Sequence, residues 1–382
     1  MFLTNRDLSD LIELRHDLHR HPEVSREERE TARRIRDFVI PLTPDHIIEG
    51  LGGHGLAVVF DSGQPGPTLL FRSELDALPI EEKSDAAHRS TVPGKGHLCG
   101  HDGHSTILTA LAAGLSRARP QRGRVVLLFQ PAEEDGSGAA AVLADPRFAE
   151  IRPDFAFSLH NLPGLPLGHV ALRSGPVNCA SRGMKIRLSG KTAHASQPET
   201  GLSPMRAMAS LMPALTNLAI SMPPDPAFRM ATVTHATLGE AAFGIAPGDG
   251  EIWVTLRTLT DDRMDELVGA AEALAQTAAA DHGLTLEIGY HDVFQHCENA
   301  PEAVAHLSRA LDEEGIDHDE GDLPMRASED FGRLRAVAPT AMFFLGAGER
   351  HPALHNPDYD FPDALISIGA RTFMRVIRNL LG

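Results

Sequence analysis

Long apolar runs are missing from this chain. No stretch approaches the roughly 18 consecutive apolar residues that a membrane span needs, so no membrane span is expected, and the acidic surplus of the chain makes an anionic membrane a poor partner. Cysteine is scarce. Cys99, Cys179 and Cys297 are the only three, and their spacing forms no pattern. An odd, sparse count argues for reduced thiols in a cytoplasmic setting rather than a disulfide framework. Positive charge is short as well: 35 Lys and Arg face 52 Asp and Glu, a formal net charge of −17. Nucleic acid is therefore a poor partner by charge. The opening residues, Met1-Phe2-Leu3-Thr4-Asn5-Arg6-Asp7, turn acidic at once and lack the apolar core of a secretory peptide.

Several common motifs are missing too. There is no internal repeat and no low-complexity tract. No GxSxG elbow is present, so serine hydrolysis has no nucleophile to point to. Gly50-Leu51-Gly52-Gly53-His54-Gly55 fits GxGxxG, but a strand-like run follows it and not a helix, so it is no dinucleotide fingerprint. Gly94-Lys95-Gly96 lacks the spacing and the Ser/Thr of a phosphate loop.

What is present reads as globular. The chain has 382 residues, 42% hydrophobic and 23% charged, which favours two domains. A helix is expected over residues 8–21, stopping at Pro22. Ser25-Arg26-Glu27-Glu28 fits a capping box that opens a second helix to about Val39. Short apolar runs follow at Gly55–Phe60, Thr68–Phe71, Arg124–Gln130, Phe155–Leu159 and Ala341–Leu345. Each is bounded by turn residues, as strands buried on both faces are. Ser105–Arg117 lies between two of them as an Ala/Leu-rich helix. This is an α/β layer architecture.

The middle of the chain changes character. Strands are expected at Met184–Ser189, Arg229–Leu238, Glu251–Leu259 and Leu284–His291, and helices at Pro204–Met222 and Asp262–His282. A loop, Pro223-Pro224-Asp225-Pro226, follows the first helix. The order is βαββαβ, the ferredoxin-like pattern. It reads as a domain over 181–291 inserted into one formed by 1–180 and 292–382, with hinges near Ser174-Gly175-Pro176 and Asp292.

The candidate chemistry lies where the strands end. Asp76 follows the strand Thr68–Phe71, Glu133 and Glu134 follow Arg124–Gln130, and His160 caps Phe155–Leu159. His355 follows Ala341–Leu345, and Cys99 and His101 precede the helix Ser105–Arg117. Open α/β sheets bind ligands beyond the carboxyl ends of their strands. Thiolate, imidazole and carboxylate together suit zinc first, with manganese or cobalt as alternatives. Of the adjacent pair Glu133-Glu134, one can ligate while the other stays free as a base. About five ligands allow two metal ions. Taken singly, each feature has a plainer explanation: a Glu-Glu pair is usually solvated surface, and a histidine after a strand can be a satisfied core residue. Joint placement at one sheet edge is what carries weight. The other histidines do not share it. His16, His19 and His21 are expected on the surface of the first helix, and His88, His282 and His318 in loops or on the surface.

Motifs from end to end resemble one family. RHDLHRHPE (15–23), FRSELDALP (71–79), PGKGHLCGHDGH (93–104), FQPAEE (129–134), SLHNLPGLPLG (158–168), ASEDFG (327–332) and LHNPDYDF (354–361) are similar to the metal-dependent amidohydrolases. That family includes auxin–amino-acid conjugate hydrolases, hippurate hydrolases and bacterial aminoacylases. The resemblance implies a zinc-peptidase-like catalytic domain, with a mixed central sheet flanked by helices and two divalent metal ions. It also implies a ferredoxin-like lid that forms a homodimer. By position, Cys99, His101, Glu134, His160 and His355 would be metal ligands and Glu133 the general base. His194 would be a lid histidine reaching a partner's active site, and Arg257 would lie near the substrate carboxylate. Asp76 and Glu329 would orient ligands. Three positions depart from the family pattern: Glu74 replaces an Asp, Phe243-Gly244-Ile245 stands where an Asn is usual, and Glu199 follows Pro198 in place of a His.

The activity implied is hydrolysis of the amide bond of N-acyl amino acids. A dipeptidase or carboxypeptidase with the same water chemistry is one alternative. A non-catalytic metal-dependent binding protein on the same fold is another. Such a protein would have no need of an unligated base beside its metals.

Overall fold

A computed structural model describes residues 2–220 and 225–382. The chain divides into two compact units. The larger comprises Met1–Val177, Glu298–Leu323 and Asp330–Gly382. It is a mixed α/β unit built on an eight-stranded sheet. The strand order is His46–Leu51, Gly55–Asp61, Arg124–Gln130, Thr68–Glu74, Phe155–Pro163, Thr340–Gly348, Val170–Ala171 and His318–Asp319. The four central strands, Arg124–Gln130, Thr68–Glu74, Phe155–Pro163 and Thr340–Gly348, are parallel to one another. Their carboxyl ends therefore open on one edge. The expected apolar runs all form strands, and all seven residues of Thr68–Glu74 are buried.

The core is apolar and interlocked. Phe71 packs on Phe157 and Phe373 with ring centroids 5.5 and 4.9 Å away, and Phe343 meets Phe373 at 5.4 Å. Each such side chain contributes roughly 1.5–3 kcal/mol by leaving water. The helices Asn5–Arg20, His101–Arg117, Pro301–Glu314 and Ala364–Leu381 bury apolar stripes into the same cluster. Among the described residues, no helix is long and apolar enough to cross a membrane.

Three local expectations are corrected. The capping box belongs to the first helix: the Asp7 N–H donates to Thr4 Oγ1 at 3.2 Å, and the Thr4 N–H to Asp7 Oδ2 at 2.6 Å. At the second helix, Arg29–Val39, no side chain caps the start. Ser25 and Glu28 bond elsewhere, to Asp76 and to the N–H of Ala132. The helix expected from Ser105 begins at His101, because Gly100 adopts a left-handed φ of 90° and turns the chain into it. A Cβ there would also stand 2.3 Å from Asn161 Nδ2, so only glycine fits. Finally, His19 is fully buried rather than surface; His88 lies in a loop turn as expected, half-buried against Arg15 and Asp360.

The smaller unit comprises Asn178–Cys297 and Pro324–Glu329. Its antiparallel sheet runs in the order Arg229–Leu238, Asp249–Thr258, Ala180–Ser189, Thr285–Phe294. Helices Met205–Thr216 and Asp261–Asp281 pack against it through Leu211, Leu215, Leu267 and Ala271. Buried and less buried residues alternate along Asp249–Thr258, the pattern of a sheet covered on one face. The first helix ends at Thr216, short of the expected Met222. Met222 and the start of the Pro223-Pro224-Asp225-Pro226 loop lie outside the described residues.

Candidate metal centre

The carboxyl edge of the four parallel strands collects the donors. The Sγ of Cys99 lies 3.5 Å from His160 Nε2. Glu134 Oε1 lies 3.9 Å from His101 Nε2 and 3.7 Å from His355 Nε2. Three overlapping groups, Cys99/His101/His160, Cys99/Glu134/His355 and His101/Glu133/Glu134, each bring their donor atoms within 4.8 Å of one another. Cys99 belongs to two groups, as do His101 and Glu134.

Backbone geometry aims these side chains. His355 has a left-handed φ of 67°, and its N–H donates to Leu98 O at 2.8 Å, beside Cys99. Ala132 has φ 51°, an orientation that costs a residue with a Cβ roughly 1–2 kcal/mol. This reversal precedes the Glu133-Glu134 pair. Asp76 accepts the Glu134 N–H at 2.9 Å, and the Asp330 N–H donates to Glu133 Oε1 at 3.3 Å. Asp76 thus holds the Glu134 backbone, while Asp330 approaches the Glu133 carboxylate. Glu133 is buried and Glu134 half-buried.

Electrostatics fit a cation. Burial opposes charge on His101, yet Asp76, Glu74 and Glu134 overcome it and raise the imidazole to about 10. His101 Nε2 is buried and has no hydrogen-bond partner among the described residues. Burial, together with Glu134 and Glu133, pushes the Cys99 thiol well up. Without a cation nearby, Cys99 is a poor nucleophile, because the thiolate is the reactive form. Burial and neighbouring His104 push His160 down to about 3, which keeps it neutral as a ligand must be. An excess of carboxylate around a thiol, a neutral imidazole and an imidazole whose proton an ion would displace is the donor chemistry of a borderline divalent ion. The residues present therefore fit such an ion.

Some participants were not anticipated. Glu74 was noted only as a departure from the family pattern, but it is fully buried and bonds His104 Nδ1 at 2.7 Å. Burial opposes its charge, but Arg72 and His104 hold the carboxyl well below the usual range. The Asn161 N–H donates to His104 Nε2 at 3.0 Å, and its amide to Cys99 O at 2.7 Å. Arg72 bonds Glu74, reaches Gln130 at 3.0 Å and meets Asp330 at 2.5 Å. A charged residue inside a strand buried on both faces was the available signal. Asp102 accepts from His19 at 2.9 Å and Arg15 at 3.2 Å and so anchors the first helix.

Three anticipated residues lie in the smaller unit. His194 is exposed on a two-stranded ribbon, paired with Ile245. Its Nδ1 accepts the Ser196 N–H at 3.1 Å, which assigns the proton of a neutral ring to Nε2. Arg257 donates to Arg326 O at 2.9 Å and Ser328 Oγ at 2.7 Å. Glu329 is buried.

Residues 70–379 match the model of Peptidase family M20/M25/M40. The chain belongs to this family. An N-acetyldiaminopimelate deacetylase of Lactobacillus helveticus is 30% identical, over 98% of this chain and 98% of that protein. An N-acetyl-L-cysteine deacetylase of Bacillus subtilis is 29% identical, over 93% of this chain and 84% of that protein. A Bacillus subtilis dinuclear metal binding peptidase of the M20 family superposes with TM-score 0.82 at 24% identity, covering 99% of both chains. That last likeness speaks to the fold. As an M20/M25/M40 member, the chain is a metal-dependent amidohydrolase.

Proposed function

We propose that this chain hydrolyses the amide bond of N-acyl amino acids, releasing a carboxylic acid and an amino acid. The observation that carries it is the convergence of Cys99, His101, Glu134, His160 and His355 beside a separately held Glu133. Those five residues would hold two divalent ions, zinc first and manganese or cobalt otherwise. Cys99 stands in two donor groups, which supports a pair rather than a single ion. Bound there, the metals supply Lewis acidity for the water and the carbonyl. Glu133 takes the proton of the attacking water and returns it to the departing amine. His194, with its proton on Nε2, has the donor an oxyanion needs. Arg257 is the cation available for the substrate carboxylate, and Asp76 and Glu329 orient the donors.

The smaller unit is read as a ferredoxin-like lid and the homodimer contact, within a domain spanning about 181–291. Its four antiparallel strands and two helices support that reading. The buried free thiols Cys99, Cys179 and Cys297 support a cytoplasmic setting. N-acylated relatives' substrates favour a blocked amine. An assay pairing N-acetyl and N-benzoyl amino acids against free dipeptides, with and without chelator, tests this. Chelator-sensitive turnover of the acylated set is expected. Turnover confined to dipeptides would replace this reading with a peptidase.

A further inference from the structure

The segment joining the first two helices reaches the turn that carries Glu133 and Glu134 at two points, directly and through Asp76. Ahead of the pair, the Ala132 N–H donates to Glu28 Oε1 at 2.7 Å, and the same oxygen takes the Arg26 N–H at 2.8 Å. Between the two glutamates, Asp76 Oδ2 takes the Glu134 N–H at 2.9 Å and the Ser25 hydroxyl at 2.8 Å. Glu28 is fully buried, and its Oε2 has no hydrogen-bond partner among the described residues. A buried carboxyl with one unmatched oxygen is costly to keep. It does not cap its own helix. What it does touch is the one residue whose left-handed φ, 51°, reverses the chain into the carboxylate pair. Such a conformation persists only where the surroundings over-determine it. The Ala132 carbonyl is held too, by the Gly138 N–H at 2.9 Å.

We propose that Glu28 and Ser25 are positioning residues for the hydrolysis. Glu28 acts through Ala132 and Ser25 through Asp76. Together they set how Glu133 and Glu134 leave the turn, so that one serves as base and the other as ligand. This rests on the roles proposed above for those two glutamates. It concerns geometry: a glutamine at 28 keeps an oxygen for the Ala132 N–H, whereas an alanine removes it.

The test compares wild type, Glu28→Ala, Glu28→Gln and Ser25→Ala as full-length protein. Each is loaded with Co²⁺, and its visible absorption, Co²⁺ affinity, kcat and KM on an N-acetyl amino acid are recorded. Glu28→Ala is expected to lose about 10- to 100-fold in kcat or metal affinity, with KM nearly unchanged and altered cobalt bands. Glu28→Gln should stay near wild type in all four. A folded Glu28→Ala with wild-type bands and kcat would overturn the proposal. Should Glu28→Ala fail to fold, Ser25→Ala carries the test: shifted cobalt bands and lower kcat support the proposal, and unchanged values overturn it. Wild type that neither binds Co²⁺ nor hydrolyses would remove the glutamates' roles themselves, and the proposal with them.

Discussion

Asp76 Oδ1 stands 3.4 Å from His101 Nδ1, and the Asp76 carbonyl stands 2.9 Å from the same nitrogen. One residue thereby orients the imidazole so that Nε2 is the atom left for a metal. The other carboxylate oxygen fixes the Glu134 backbone. Asp76 thus links two donors that are distant in sequence.

Asp76→Ala should therefore disturb two ligands at once. A loss of about 10- to 100-fold in metal affinity is expected. Isothermal titration with Zn²⁺ reads it directly, and wild-type affinity would remove Asp76 from the account.

Glu133→Gln should separate binding from chemistry. Metal content by elemental analysis should match wild type, while kcat falls by about 10²- to 10⁴-fold. Loss of metal in this variant would make Glu133 a ligand instead.

Arg72→Leu should destabilise the larger unit. It strips Glu74 and Asp330 of a buried cation. Breaking such a pair costs about 3–5 kcal/mol, visible as a lower midpoint in urea. An unchanged midpoint would show that the network is dispensable.

His19 makes stability pH-dependent. Burial opposes its charge, but Asp102 and Glu82 raise it from 6.5 to about 9. A raised folded-state value contributes stability that is fully present below 6.5 and lost as pH rises through about 9. Melting temperature should fall across that window in the wild type. His19→Gln should start lower and show a flatter decline. Parallel curves for the two proteins would contradict the assignment.

The sheet was legible because its strands are short apolar runs between turn residues, and that signal survives without tertiary context. The candidate donors were legible for a related reason: Glu134, His160 and His355 sit at or beyond strand ends, and Cys99 and His101 at the start of a helix between strands. Buried polar contacts were not. Arg15 and His19 share a helix face with Leu11 and Leu18, but reading them by polarity put His19 on the surface. Ser25-x-x-Glu28 matched a local capping pattern, and tertiary partners took both side chains. His101-Asp102-Gly103-His104 looked like loop, and only the left-handed Gly100 reveals a helix start there. Phe71, by contrast, sat where its apolar run predicted.

Metals held at Cys99, His101, Glu134, His160 and His355 are proposed to drive hydrolysis of N-acyl amino acids. The most direct measurement is release of free amino acid from N-acetyl and N-benzoyl substrates by metal-depleted protein, before and after divalent metal is restored. Negligible release from depleted protein and full recovery with Zn²⁺, Mn²⁺ or Co²⁺ are expected on that proposal. Equal release before and after restoration would contradict it.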